Sequence, residues 1–198
     1  YAPVLTGTRL YMALFAATYS GEMIGYIASA ISDLAAGSSR STALSEVVTY
    51  SIELELDATF SEPVFHSVSC REDQIQREQD YLAEAGRHAG AYRQLREMLI
   101  EQTPAEICAF WQSGRVPAAF RERVVTQKPV LLLAGELDAV TPVGWAREMH
   151  DYLPNSRLVV VPGGGHAVSV TDLCTMLLAR DFLADPDTAL PEACNGDG

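Results

Sequence analysis

The sequence predicts an α/β chain: a mostly helical region followed by the strand, helix, strand and helix of a parallel sheet. Three observations carry that expectation. The runs "PVLLLAG", from Pro129, and "RLVVVPG", from Arg157, are continuous, apolar and rich in branched residues, as strands buried on both faces of a parallel sheet are. Between them "TPVGWAREMHDYL" reads as a helix, with Thr141 as N-cap and Pro142 at the first helical position, and parallel strands need such a crossover. Upstream of Lys128 no comparable pair of runs occurs.

Taken in order, "GEMIGYIASAISDLAAG" sets Met23, Ile24, Ile27, Ile31 and Leu34 at helical spacing, with Gly37 as the C-terminal stop. "GSSRS" reads as a loop. "SEVVTYSIELEL" fits a strand by its β-branched residues and a helix by its position among helices. "EPVFHSVS" reads as a short strand. "QREQDYLAEAGRH" and "AYRQLREMLIEQ" are amphipathic helices separated near Gly90, and "TPAEICAFW" is a short helix opened by Thr103 and Pro104. After the second apolar run, "VSVTDLCTMLLARDFLAD" reads as one helix. The expected organisation is therefore a mostly helical region over residues 1–127 and a right-handed strand–helix–strand unit with one more helix over 128–198.

Composition narrows the function. The 198 residues are 48% apolar and 20% charged, an ordinary globular balance, and the net charge of −12 argues against nucleic acid. No window of about 18 uninterrupted apolar residues is present, so no membrane span is expected. The chain opens at Tyr1 without a methionine or signal-peptide pattern, which reads as a processed, excised or truncated product. Cys70, Cys108, Cys174 and Cys194 form no CxxC, and no HxxxH occurs, so a metal site is not indicated. They fit either four buried thiols in a cytosolic protein or two disulfides in an oxidising compartment.

The chemistry gathers at the strand ends. Asp138 follows the first strand in "GELD" and His166 follows the second in "GGGH". Parallel strands joined by one crossover end on the same edge of the sheet, where open α/β sheets place their sites. An aspartate there can accept the Nδ1 proton of the histidine, fixing its tautomer and orientation. Taken singly, Asp138 is a turn residue, His166 a solvated loop residue, and the glycines could cradle a phosphate, although neither GxGxxG nor GxxxxGK[ST] is present. Their order and matched placement favour catalysis.

"PVLLLAGELDAVTP" followed by "SRLVVVPGGGH" resembles the C-terminal part of an α/β-hydrolase of the tripeptidyl-aminopeptidase and proline-iminopeptidase type. The matching positions are Gly135, Asp138, Thr141, Pro142, Gly163, Gly165, His166, Cys174 and Cys194. "SVSCRED" and "CAFW" resemble that family's cap region, where a cysteine and an acid end a strand and a second cysteine precedes an aromatic residue. The resemblance implies an α/β-hydrolase fold fragment, the cap plus the last third, with disulfides Cys70–Cys108 and Cys174–Cys194. It further implies a secreted or otherwise extracytoplasmic serine exopeptidase with no cofactor.

In such an enzyme Asp138 orients His166, and His166 acts as general base and then general acid. Glu72 and Asp73 are the expected carboxylates for the substrate's cationic amino group. The sequence departs from the family in lacking G-x-S-x-G and an HGG-type loop. Both are expected upstream of Tyr1, leaving the chain alone without a nucleophile and inactive. An esterase of the same fold, or a non-catalytic fragment that binds a ligand or partner, are the alternatives.

Overall fold

Hydroxyl side chains open the first three helices. In a computed structural model that describes residues 5–38, 41–72, 105–111, 114–187, 189 and 194, α1 spans Gly7–Ala17, α2 Gly21–Ala35 and α3 Thr42–Glu55. Ser20 caps α2 by accepting from the Met23 N–H, and Ser41 caps α3 by accepting from Leu44 at 2.9 Å. The ambiguous stretch "SEVVTYSIELEL" therefore falls in a helix. Its buried residues, Ala43, Leu44, Val47 and Ser51, follow helical rather than alternating spacing, and that face packs on α2. Gly37, at φ 79°, stands just past the end of α2 in the left-handed conformation that ends helices.

The described residues form two compact units, Tyr1–Tyr11 with Leu56–Arg123, and Met12–Glu55 with Val124–Gly198. The segment Met12–Glu55 groups with the C-terminal region instead of with the remaining N-terminal helices.

In the first unit, α4 (Glu62–Glu72) replaces the strand expected for "EPVFHSVS". Phe65 N–H donates to the Ser61 carbonyl, and Glu62 reaches His66 one turn on at 3.2 Å, so local helical bonds override the apolar pattern. Glu72 thus ends a helix, not a strand. A disulfide links Cys70 to Cys108 on α5 (Ala105–Trp111). Trp111 Nε1 donates to Ser67 Oγ at 2.9 Å across the same pair of helices. Thr103 and Pro104, Asp73, and the two amphipathic helices expected over 76–102 lie outside the described residues.

In the second unit, β1 (Val130–Gly135) and β2 (Ser156–Val161) pair in parallel, with Val130 opposite Ser156 and Gly135 opposite Val161. The helix α6 (Val143–Tyr152) connects them and packs on both. The strands are not buried on both faces as expected. Residues 130–133 and 156–160 are half-buried, because the sheet has two strands among the described residues.

The expected last helix is broken. The segments α7 (Val168–Thr171) and α8 (Leu173–Ala184) are separated by Asp172, which is extended and caps α8 by accepting from the Thr175 N–H at 2.8 Å. The fully buried Thr175 hydroxyl donates to the Val168 carbonyl across the break, and a disulfide ties Cys174 to Cys194. Among the described residues no helix is long and apolar enough to cross a membrane.

Candidate active site

Asp138 and His166 meet at the C-terminal edge of the β1–β2 pair. Beyond the strands, Glu136 N–H donates to the Val161 carbonyl at 3.0 Å and Leu137 N–H to the Gly164 carbonyl at 2.9 Å, so the two loops travel together. Glu136 adds a side-chain tie, its carboxylate accepting from the Gly163 N–H at 3.0 Å. This approach requires glycine. A Cβ on Gly135 would stand 2.0 Å from the Gly165 carbonyl oxygen, and one on Gly165 would stand 2.6 Å from the Tyr19 carbonyl oxygen.

The Asp138 carboxylate has a partner for each of its lone pairs. Oδ1 accepts from the backbone N–H groups of Val140 and Thr141, both at 2.8 Å. Oδ2 accepts from the Thr141 hydroxyl at 2.7 Å and faces His166 Nδ1 at 3.0 Å. Burial pushes this carboxyl up. The hydrogen bonds from Thr141, His166 and Val140 outweigh burial and hold it below its ordinary range, so it stays ionised. Thr141 therefore orients the carboxylate and does not cap α6. The residue before that helix is Pro142, whose carbonyl takes the Trp145 N–H.

Nδ1 faces the ionised carboxylate at 3.0 Å, so the Nδ1–H tautomer is the one that can donate to it, and that tautomer would leave the Nε2 lone pair open. The Asp138 side chain is 3% exposed and that of His166 is 26% exposed, so the carboxylate is shielded while the imidazole is reachable. The backbone fixes the ring from both sides. His166 N–H donates to the Tyr19 carbonyl at 2.9 Å, and Ala167 adopts a left-handed φ of 57° before α7 begins. The Tyr19 ring meets the imidazole edge to face, with centroids 5.2 Å apart.

Among the site residues expected from sequence, Asp138 and His166 are brought together, and both disulfides are formed. Glu72 belongs to the other compact unit, where its carbonyl accepts from the Arg121 guanidinium. Asp73 lies outside the described residues. Sequence reasoning missed Tyr19 and the role of Thr141. The Thr141 signal was available, because a hydroxyl three residues after an aspartate can return to its carboxylate. For Tyr19 the sequence offers a turn between two helices and nothing about its partner. Among the described residues no cluster of three or more His, Cys, Asp or Glu side chains could hold a metal ion.

A stretch of 40 residues is 50% identical to the pimeloyl-[acyl-carrier protein] methyl ester esterase of Nitrosomonas europaea, covering 20% of this chain and 16% of that protein. Another, of 46 residues, is 39% identical to the "Putative carbamate hydrolase RutD" of Shigella flexneri, covering 23% of this chain and 17% of that protein. The chain thus spans about one sixth of the length of these curated relatives. No solved structure matches it. The model of the TAP-like protein family matches residues 95–194, more than half of the chain and the part that carries both strands, Asp138 and His166. The chain belongs to the TAP-like family of α/β-hydrolases.

Proposed function

We propose that the chain is the C-terminal portion of a serine exopeptidase-like hydrolase that cleaves peptides from a free N-terminus. Asp138 and His166 are two members of its Ser-Asp-His triad. The observation that carries this reading is the 3.0 Å contact between a shielded, ionised Asp138 and a reachable His166 at the ends of adjacent parallel strands. The nucleophile is assigned to sequence upstream of Tyr1, since the 198 residues contain no G-x-S-x-G. Family membership supports hydrolysis. The two disulfides support an extracytoplasmic location. For the substrate's cationic amino group we assign Glu72 and Asp73, on the chemistry of carboxylates alone.

A methyl ester esterase among the similar proteins favours a second reading, ester hydrolysis by the same pair. One experiment separates the two. The gene upstream of Tyr1 is read for G-x-S-x-G, and the extended protein is assayed on free-amine peptides, N-blocked peptides and simple esters. Asp138→Asn should lower kcat by about 10⁴-fold and His166→Ala by about 10⁶-fold on the true substrate class. Glu72→Gln should weaken turnover of free-amine peptides and spare N-blocked esters. Hydrolysis of esters alone establishes the esterase reading, and full activity in His166→Ala removes both.

A further inference from the structure

The aspartate of the pair is held by three hydrogen bonds from its own turn, whereas the histidine sits on a run of three glycines. Something other than local backbone must fix His166, because glycines impose almost no conformational preference. Besides the bonds from Glu136 and Leu137 to that loop, the described structure offers the turn between α1 and α2. It is itself held from both sides. Thr18 and Tyr19 N–H groups close the end of α1 onto Phe15 and Ala16 at 3.0 Å, Ala17 is fully buried, and Ser20 caps α2.

Against this turn the glycine loop packs backbone to backbone. A Cβ on Gly165 would stand 2.9 Å from the Gly21 nitrogen, and one on Gly21 would stand 2.4 Å from the Gly163 carbonyl oxygen. His166 N–H bonds to the Tyr19 carbonyl, and the Tyr19 ring meets the imidazole edge to face, with centroids 5.2 Å apart.

We infer that Tyr19 is a positioning residue and that the turn it occupies, residues 19–21, is the clamp that aims His166 at Asp138. The catalytic consequence rests on the function proposed above; the clamp does not. Burial and the nearby Asp138 charge raise the Tyr19 phenol, which keeps it neutral and leaves the ring to act as a wall, not as a competing charge.

The test uses the 198-residue chain, labelled with ¹⁵N, and reads the Nδ1–H resonance of His166, a proton that survives exchange only while it is bonded to Asp138. Tyr19→Phe keeps both the ring and the carbonyl and should leave the resonance in place. Gly25→Ala is the control on the same helix, because a Cβ there meets nothing within 4 Å. Tyr19→Ala removes the wall and Gly21→Ala drives a methyl into Gly163. Both should broaden or abolish the resonance while amide signals of β1 and β2 keep their positions.

An unchanged resonance in Tyr19→Ala and Gly21→Ala overturns the clamp, as does an equal loss in Gly25→Ala. Absence of the resonance from the unsubstituted chain overturns the clamp together with the Asp138–His166 pair. In the extended protein, Tyr19→Ala should lower kcat by about 10²-fold with KM little changed, the pattern of a misplaced base. A KM effect alone overturns the positioning role. If the resonance responds as expected but the extended protein hydrolyses nothing, the clamp stands and the proposed function falls.

Discussion

The two compact units hold their shape by different means. Met12–Glu55 with Val124–Gly198 buries Ala13, Ala17, Ala30, Leu44, Val47, Ala134, Leu153, Val161, Val168 and Leu178, and brings backbones together at glycines. In Tyr1–Tyr11 with Leu56–Arg123, the one buried apolar side chain among the described residues is Cys70, while Val64, Phe65, Val68 and Phe110 are exposed. Among the described residues each unit carries one disulfide, Cys174–Cys194 beside many buried apolar side chains and Cys70–Cys108 between two helices with few. A disulfide is expected to matter most where, among the described residues, fewer buried apolar side chains surround it.

The largest expected effect is therefore covalent. Replacing Cys70 and Cys108 by serine opens a link with a sequence separation of 38, and Cys174 with Cys194 a link of 20. The chain-entropy model assigns these about 4 and about 3 kcal/mol. Hydrogen exchange should show α4 and α5 losing protection throughout when the first link is removed. Loss of the second should loosen α8 and spare β1 and β2. Equal deprotection of both strands by the second change would break the contrast between the units.

Next in size is a single hydroxyl. Thr141→Val keeps the backbone N–H on Asp138 Oδ1 and deletes the 2.7 Å bond to Oδ2. A bond to a charged acceptor contributes about 1.5–3 kcal/mol, so the unfolding midpoint in denaturant should fall at unchanged slope. No fall would mean that the packed unit does not depend on its short polar contacts.

The smallest expected effect is the acid dependence. The folded Asp138 carboxyl lies below its ordinary value of 3.8. The unfolded chain therefore binds the proton more readily, and the resulting stability is fully present above that value and lost as pH falls through the lower folded value. In Asp138→Asn the acid limb of an unfolding titration should flatten for this unit. An unaltered limb would assign the acid sensitivity to other carboxylates.

Much of the site was legible because its logic is local to two strands. The apolar runs from Pro129 and Arg157, the crossover between them and the residues after each run are enough to bring Asp138 and His166 together. What escaped was decided elsewhere. "EPVFHSVS" reads as a short strand, yet the Glu62–His66 contact and the link to α5 go with a helix. "VSVTDLCTMLLARDFLAD" reads as one helix, yet Asp172 caps α8 and breaks it. Tyr19 lies about three quarters of the chain length from His166, and no local pattern at either position announces the contact.

The register of the strand pair also fixes how the protein can vary in length. Gly135 stands opposite Val161, Asp138 follows three residues past the first and His166 five past the second. The separation of the pair is set by that ladder and by those two short loops, and not by how many residues connect the strands. Additions beyond Tyr152, at the exposed Pro154 and Asn155, would loop outward and leave the pair where it is. One residue added among the three glycines would move the imidazole off its acid. Insertions and deletions should therefore accumulate on the connection and be purged from the rim.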